Sequence, residues 1–212
     1  MKGVVVLLAL FAIPSAAAFA ARGRHAPYLG GNVVKLSFRC KAGVVSACAA
    51  LGHALVYGED TSQNLNEGVR HLEEACKKRS VLGCFFLAQV VEDEKVSRGL
   101  DPERVVRLYR DGCNRKHAWS CAFLAKKLAQ GYGVAQDVKR AAKMFGETCE
   151  SGIAEACSIA AEFLLRGIGA KKDQQEAGRL LERGCKDGDA KSCDGRKRLP
   201  EILGDGLRRS PY

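Results

Sequence analysis

Two cysteines with seven residues between them recur five times along this 212-residue chain. The pairs are Cys40 with Cys48, Cys76 with Cys84, Cys113 with Cys121, Cys149 with Cys157, and Cys185 with Cys193. They use all ten cysteines, and successive first cysteines lie 36, 37, 36 and 36 residues apart. A ladder this regular restricts the chain to stacked copies of one small unit, each burying its apolar face against the next.

Every copy reads as two helices. The segments before the first cysteine are NEGVRHLEEAC, ERVVRLYRDGC, KRAAKMFGETC and EAGRLLERGC in the second to fifth copies. Four residues before the cysteine stands Leu72, Tyr109, Phe145 or Leu181, and eight before it Gly68, Val105, Ala141 or Ala177. This spacing marks one buried stripe of a helix. Asn64-x-x-Glu67, Asp173-x-x-Glu176 and Asp101-Pro102 supply helix starts. The first copy, NVVKLSFRC, is short and irregular, as suits a terminal repeat. After the second cysteine a further helix packs through that cysteine and positions +3, +4 and +7, with small residues Gly52, Ala88, Ala125 and Ala161 at +4 for close approach. Gly58, Gly131 and Gly167 at +10 end it. The second copy has Glu94 there and a longer connection, EDEKVSRGLD. The fifth has Pro200 at +7 and is strongly polar, which reads as an end cap. Alternating strand patterns are missing, so the array is expected to be all-α.

An even cysteine count points to disulfides and an oxidising compartment. Ten cysteines allow many hundreds of pairings, and sequence alone does not choose among them. The fixed local spacing favours a bridge within each helix hairpin, where two antiparallel helices bring Cα atoms into disulfide range. Closing so short a loop removes denatured-chain entropy worth roughly 2.5 kcal/mol per bridge. Zinc sites bring their ligands closer together, and His25, His53, His71 and His117 do not follow the period, so neither metal nor cofactor is expected.

The chain opens with basic Met1-Lys2, an apolar run from Gly3 to Ile13 and Ala18-Phe19-Ala20, an A-x-A site. Residues 1–20 read as a cleaved signal peptide, with an uncleaved anchor as the alternative. Residues 21–31 form a basic leader, 32–203 the array of about five repeats and 204–212 a basic tail. No stable membrane insertion is expected after cleavage. The net charge of +10 is concentrated at the two ends: Arg22 to Cys48 holds five basic residues and no acidic one. Mixed charge elsewhere and the lack of a nucleic-acid motif argue against nucleic acid as a partner.

The pattern A-x3-[YFL]-x3-C-x7-C-x2-LG-x2-[YL]-x2-G-x-G, running from about Val33 to Leu199, resembles the Sel-1-like repeat, a relative of the tetratricopeptide repeat. The cysteine pairs make it similar to the Helicobacter cysteine-rich protein family. That resemblance implies a right-handed α/α solenoid with one disulfide per repeat, in pairs 40–48, 76–84, 113–121, 149–157 and 185–193. It also implies that the helix after each second cysteine lines a concave groove. Groove candidates are then His53, Tyr57, Phe85, Phe86, Gln89, Glu92, Trp119, Phe123, Lys126, Glu162 and Arg166, with Ile159 beside them. For the three phenylalanines the competing role is packing between repeats, and for His53, Lys126, Glu162 and Arg166 a solvated face.

The expected function is a monomeric secreted or periplasmic scaffold that binds a protein, peptide or peptidoglycan fragment. The resemblance also brings β-lactam binding or hydrolysis as an alternative. The residues lend it little: S-x-x-K, S-D-N, K-T-G and H-E-x-x-H are all missing, so enzymatic activity is not expected. A further similarity, of Lys116-His117-Ala118-Trp119-Ser120-Cys121 to Sel-1-like cytochrome c oxidase assembly factors, implies a mitochondrial intermembrane-space role as a second alternative.

Overall fold

The computed structural model describes residues 32–93 and 101–203, without the side chains of 200–203. The expected signal peptide, leader and basic tail lie outside the described residues, as do positions 94–100 of the long connection. Ten described helices follow in hairpin pairs: α1 (Val33–Lys41) with α2 (Val45–Tyr57), α3 (Leu65–Lys77) with α4 (Val81–Glu92), and α5 (Pro102–Asn114) with α6 (Ala118–Gln130). The series continues with α7 (Val138–Glu150) beside α8 (Ala154–Arg166), and α9 (Gln174–Lys186) beside α10 (Ala190–Leu203). Each helix packs against its neighbours in sequence, and α2 also meets α4 across one repeat, giving an α/α solenoid.

The helix starts follow from local chemistry. Asn64, Asp101, Asp137 and Asp173 each accept a hydrogen bond from the backbone N–H three residues on, at 3.2, 2.8, 2.9 and 2.9 Å, relieving donors that the first turn leaves open. Ser80 does the same for α4 at 3.1 Å. For α6 the cap is His117, whose Nδ1 accepts from Ser120 N at 3.3 Å. Burial holds the imidazole below its ordinary pKa, which suits an acceptor. At the other end, α2, α6 and α8 stop at Gly58, Gly131 and Gly167, all left-handed, as the sequence leads one to expect. Pro200 falls inside the last turn of α10 rather than beyond the helix.

All five cysteine pairs bridge their own hairpins: Cys40 to Cys48, Cys76 to Cys84, Cys113 to Cys121, Cys149 to Cys157, and Cys185 to Cys193. Their Cα–Cα distances are 4.5 to 4.7 Å. Such proximity requires the backbones to meet, and the residues just before the two cysteines allow it. In the second to fifth repeats they are Ala75 and Gly83, Gly112 and Ser120, Thr148 and Ala156, Gly184 and Ser192, whereas the first repeat has the exposed Arg39 and the buried Ala47. A β-carbon on Gly112 would stand 2.3 Å from Ser120 Oγ, and one on Gly184 2.3 Å from Ser192 Oγ. Between repeats the same device recurs: a β-carbon on Gly52 would lie 2.8 Å from Gly68 O, and one on Gly68 2.7 Å from Gly52 O. In later repeats Ala88, Ala125 and Ala161 occupy the position of Gly52 and are fully buried.

The turn of every hairpin places its third residue after the first cysteine at positive φ. Three are glycines (Gly43, Gly152, Gly188), but Arg79 and Lys116 hold φ of 62° and 65°. Side chains with a β-carbon are disfavoured there by about 1 kcal/mol. Replacing the exposed Lys116 by glycine (Lys116→Gly) is therefore expected to raise unfolding free energy by about 0.5–1 kcal/mol in urea melts, whereas Gly152→Lys lowers it.

The bridges differ in access. Cys149 and Cys157 are fully buried, and Cys84 is buried while its partner Cys76 is half-buried. Both cysteines are partly exposed in the bridges from Cys40 to Cys48, from Cys113 to Cys121 and from Cys185 to Cys193. Exchange needs a thiolate to reach sulfur. Under limiting reductant in native buffer, the bridge between Cys149 and Cys157 is expected to open last, as checked by alkylation and peptide mapping.

Candidate functional site

The sequence-derived candidates fall into two groups. His53, Phe85, Phe86, Gln89 and Phe123 are buried, whereas Tyr57, Glu92, Trp119, Lys126 and Glu162 are half-buried and Arg166 is exposed. The buried rings form one continuous chain. His53 lies 4.8 Å from Tyr57 and 4.5 Å from Phe86, Phe86 lies 5.6 Å from Phe85, and Phe85 lies 5.7 Å from Phe123. Tyr109 stacks on Phe123 at 5.1 Å. These separations are those of favourable aromatic pairs. Positions one and two after the second cysteine in the second copy, and position two in the third, therefore pack repeat against repeat.

Further along, Trp119, Phe123 and Ile159 line an apolar depression together with Phe145, Ile153 and Ala156, between the third and fourth repeats. Phe145, one of its lining residues, packs on Phe163 with ring centroids 5.6 Å apart. Glu162 and Arg166, one turn apart on α8, pair with each other at 3.1 Å.

The C-terminal ends of α2, α4 and α6 gather the polar groups. Glu92 closes α4, accepts a hydrogen bond from Tyr109 Oη at 3.1 Å and forms an ion pair with Lys127. Lys127 is only 3% exposed, and its ammonium also lies 4.4 Å from the Tyr132 ring centroid, a cation–π distance. Burial, followed by the Glu92 charge, holds the Tyr109 hydroxyl far above its ordinary pKa. Lys126, next to Lys127, is lowered by burial; Glu92 works against this and Lys127 adds to it. Tyr57 stands nearby: burial raises its pKa first, then the charges of Asp93, Glu59 and Glu92. Its hydroxyl is buried and makes no hydrogen bond among the described residues. Glu59 Oε2 reaches to 3.3 Å from His53 Nδ1, without the alignment of a hydrogen bond.

Lys127, Tyr109 and Tyr132 are not among the sequence-derived groove candidates. Tyr109 belongs by spacing to the buried stripe, where it also sits, and only its hydroxyl adds a polar contact, to Glu92. Lys127 lies six residues after its second cysteine, a position that neither the packed stripe nor the groove set includes. The equivalent residues are Ala54, Val90 and Phe163, all buried. Glu92 likewise matches Val56 and Ala129, both buried. A charge that replaces an apolar residue at a periodic position is the signal available in the sequence.

The stacked helical hairpins define the class: an all-α repeat scaffold with a disulfide in every unit. The chain belongs to the Sel1 repeat family, whose model matches residues 45–80, 120–153 and 154–189, half of the chain. Among solved structures, a protective antigen of uropathogenic Escherichia coli displaying an SLR fold is similar at a TM-score of 0.74 and 19% identity, over 84% of this chain. The match spans 37% of that antigen. A Sel1 repeat protein from Oxalobacter formigenes is similar at a TM-score of 0.70 and 19% identity, covering 82% of this chain and 68% of its own. Cysteine rich protein B of Helicobacter pylori aligns at 20% identity and a TM-score of 0.49, over 62% of this chain and 94% of its own. No curated protein matches the sequence.

A buried ion pair contributes little beyond an apolar pair of the same shape, but breaking one leaves a charge uncompensated. Lys127→Met is therefore expected to cost about 2–4 kcal/mol of stability, and adding Glu92→Gln to it is expected to recover part of that loss. Chemical denaturation of the two variants against wild type checks the order.

Proposed function

We propose that this protein is an exported, disulfide-stapled scaffold that binds an extended protein or peptide segment along the face formed by the helices after each second cysteine. The observation that carries this reading is the polar cluster at the ends of α2, α4 and α6. There the Glu92–Lys127 pair interrupts positions that other repeats keep apolar, beside a Tyr57 hydroxyl that is buried without a hydrogen bond among the described residues. Glu92 and Lys126 of this cluster are only half-buried, so charged groups held on a rigid face remain within reach of a partner's amide or side chain. The apolar depression around Trp119 and Ile159 offers a second contact, one repeat further along. A peptide reaching both would place polar groups at one and an apolar side chain at the other.

The five bridges support a secreted or periplasmic location, since disulfides persist in oxidising compartments. The signal-peptide reading of residues 1–20 points the same way.

Quantitative capture from the native compartment tests the proposal. Tyr57→Phe/Lys126→Ala is expected to retain the five bridges and to lose at least one partner roughly tenfold relative to wild type. Identical partner sets for the two proteins would overturn it.

A further inference from the structure

The first repeat presents a face that the others do not have. Val34 and Phe38, one turn apart on α1, are 76% and 74% exposed, and they are the large apolar side chains exposed on the described surface. They lie six and two residues before the first cysteine. At those positions the later repeats carry Arg70 and Glu74, Arg107 and Asp111, Lys143 and Glu147, and Arg179 and Arg183. Arg70 and Lys143 pair with their own Glu74 and Glu147, each at 3.7 Å, and Arg179 and Arg183 reach Glu150 of the preceding repeat at 2.6 and 2.5 Å. The fold therefore accommodates charge at these sites. The core contact of α1 is made by Leu36, on its other side. Packing within the array does not require valine and phenylalanine here.

The charged side chains of the same short helix are all basic: Lys35, Arg39 and Lys41 are exposed on it. A second copy is a poor occupant: two such ends would face each other with like charge, and a head-to-tail arrangement would bring up the exposed Arg196 and Lys197 of α10. Exposed apolar side chains flanked by cations fit an anionic lipid surface, where apolar groups enter the headgroup layer and lysine and arginine meet lipid phosphates. No described helix is long and apolar enough to cross a membrane, and α1 with its 9 residues is far too short to span one, so its own contact would be peripheral. We infer that the α1 face is a docking patch for anionic membrane surfaces, with Val34 and Phe38 entering the interface and Lys35 and Arg39 holding lipid phosphates.

Co-sedimentation of the purified mature chain, from residue 21 onward, with vesicles tests this, using phosphatidylcholine alone or with about one third phosphatidylglycerol. The expected result is binding to the anionic vesicles only, reversed near ~0.5 M salt. Val34→Ser/Phe38→Ser and Lys35→Glu/Arg39→Glu are each expected to weaken it roughly tenfold. A direct probe is Phe38→Trp in a Trp119→Phe background, whose emission should shift to the blue on anionic vesicles, wherever else the chain touches them. No blue shift, equal binding to both vesicle types or unchanged binding by the serine variant would overturn the inference. So would vesicle-free self-association that the serine variant abolishes, since that assigns the patch to a second copy.

Discussion

Contact between helix backbones inside each hairpin is the constraint on which the rest of this structure depends. A disulfide joins Cα atoms only 4.5 to 4.7 Å apart, near the short limit for such bonds. Helices carrying ordinary side chains stand about 8–10 Å apart. The pairs Ala75/Gly83, Gly112/Ser120, Thr148/Ala156 and Gly184/Ser192 remove the bulk that would hold the chains away from each other. Once the hairpin angle is set there, the small residues at Gly52/Gly68 and their counterparts let the next hairpin settle at the same distance. Cysteines and small neighbours therefore act together in the second to fifth repeats, while the first repeat reaches 4.6 Å with an outward-facing Arg39 and Ala47 in those places.

Much of this is legible in the sequence because a repeat displays its rules several times. The helix pairs, the Asn and Asp caps, the left-handed glycines and the stripe through Leu87, Ala88, Leu124 and Ala125 follow from spacing alone. The bridges from Cys76 to Cys84 and from Cys185 to Cys193 lie where that spacing favours them and where the family resemblance implies them, although the latter closes a polar terminal repeat. The site is less legible. Phe85, Phe86 and Phe123 sit where a groove residue would by helical phase, yet the close approach between repeats covers them. Helical phase gives a direction but not the distance to the next helix. Lys127 is hidden for the opposite reason: its position points inward, and an inward lysine reads as a lapse in the pattern until Glu92 is seen to meet it. His117 as a helix cap lies outside the usual Ser, Thr, Asp and Asn set, and it depends on which ring nitrogen faces the helix.

The two ends of the array and its middle answer to different demands. In the middle, charges such as Arg104 with Glu73 at 2.9 Å and Arg179 with Glu150 link adjacent hairpins along the outer layer. Exposed pairs of this kind contribute little stability each, and they keep the outer surface polar. The first repeat abandons that scheme and exposes valine and phenylalanine among lysine and arginine. The departures from the repeat rule, at α1 and at Glu92–Lys127, are where a repeated architecture acquires individual behaviour.

The placement of the bridges also sets how the molecule would bear a load. Each one closes a loop inside a single repeat, and none joins one repeat to the next. A pull applied at the two ends is therefore carried by non-covalent contact at every boundary between repeats. The hairpin turns cannot lengthen, because the residues between each pair of cysteines are short-circuited by sulfur. Extension would come from the segments between bridges, in steps, and each turn would survive as a covalent knot from which its pair of helices can form again.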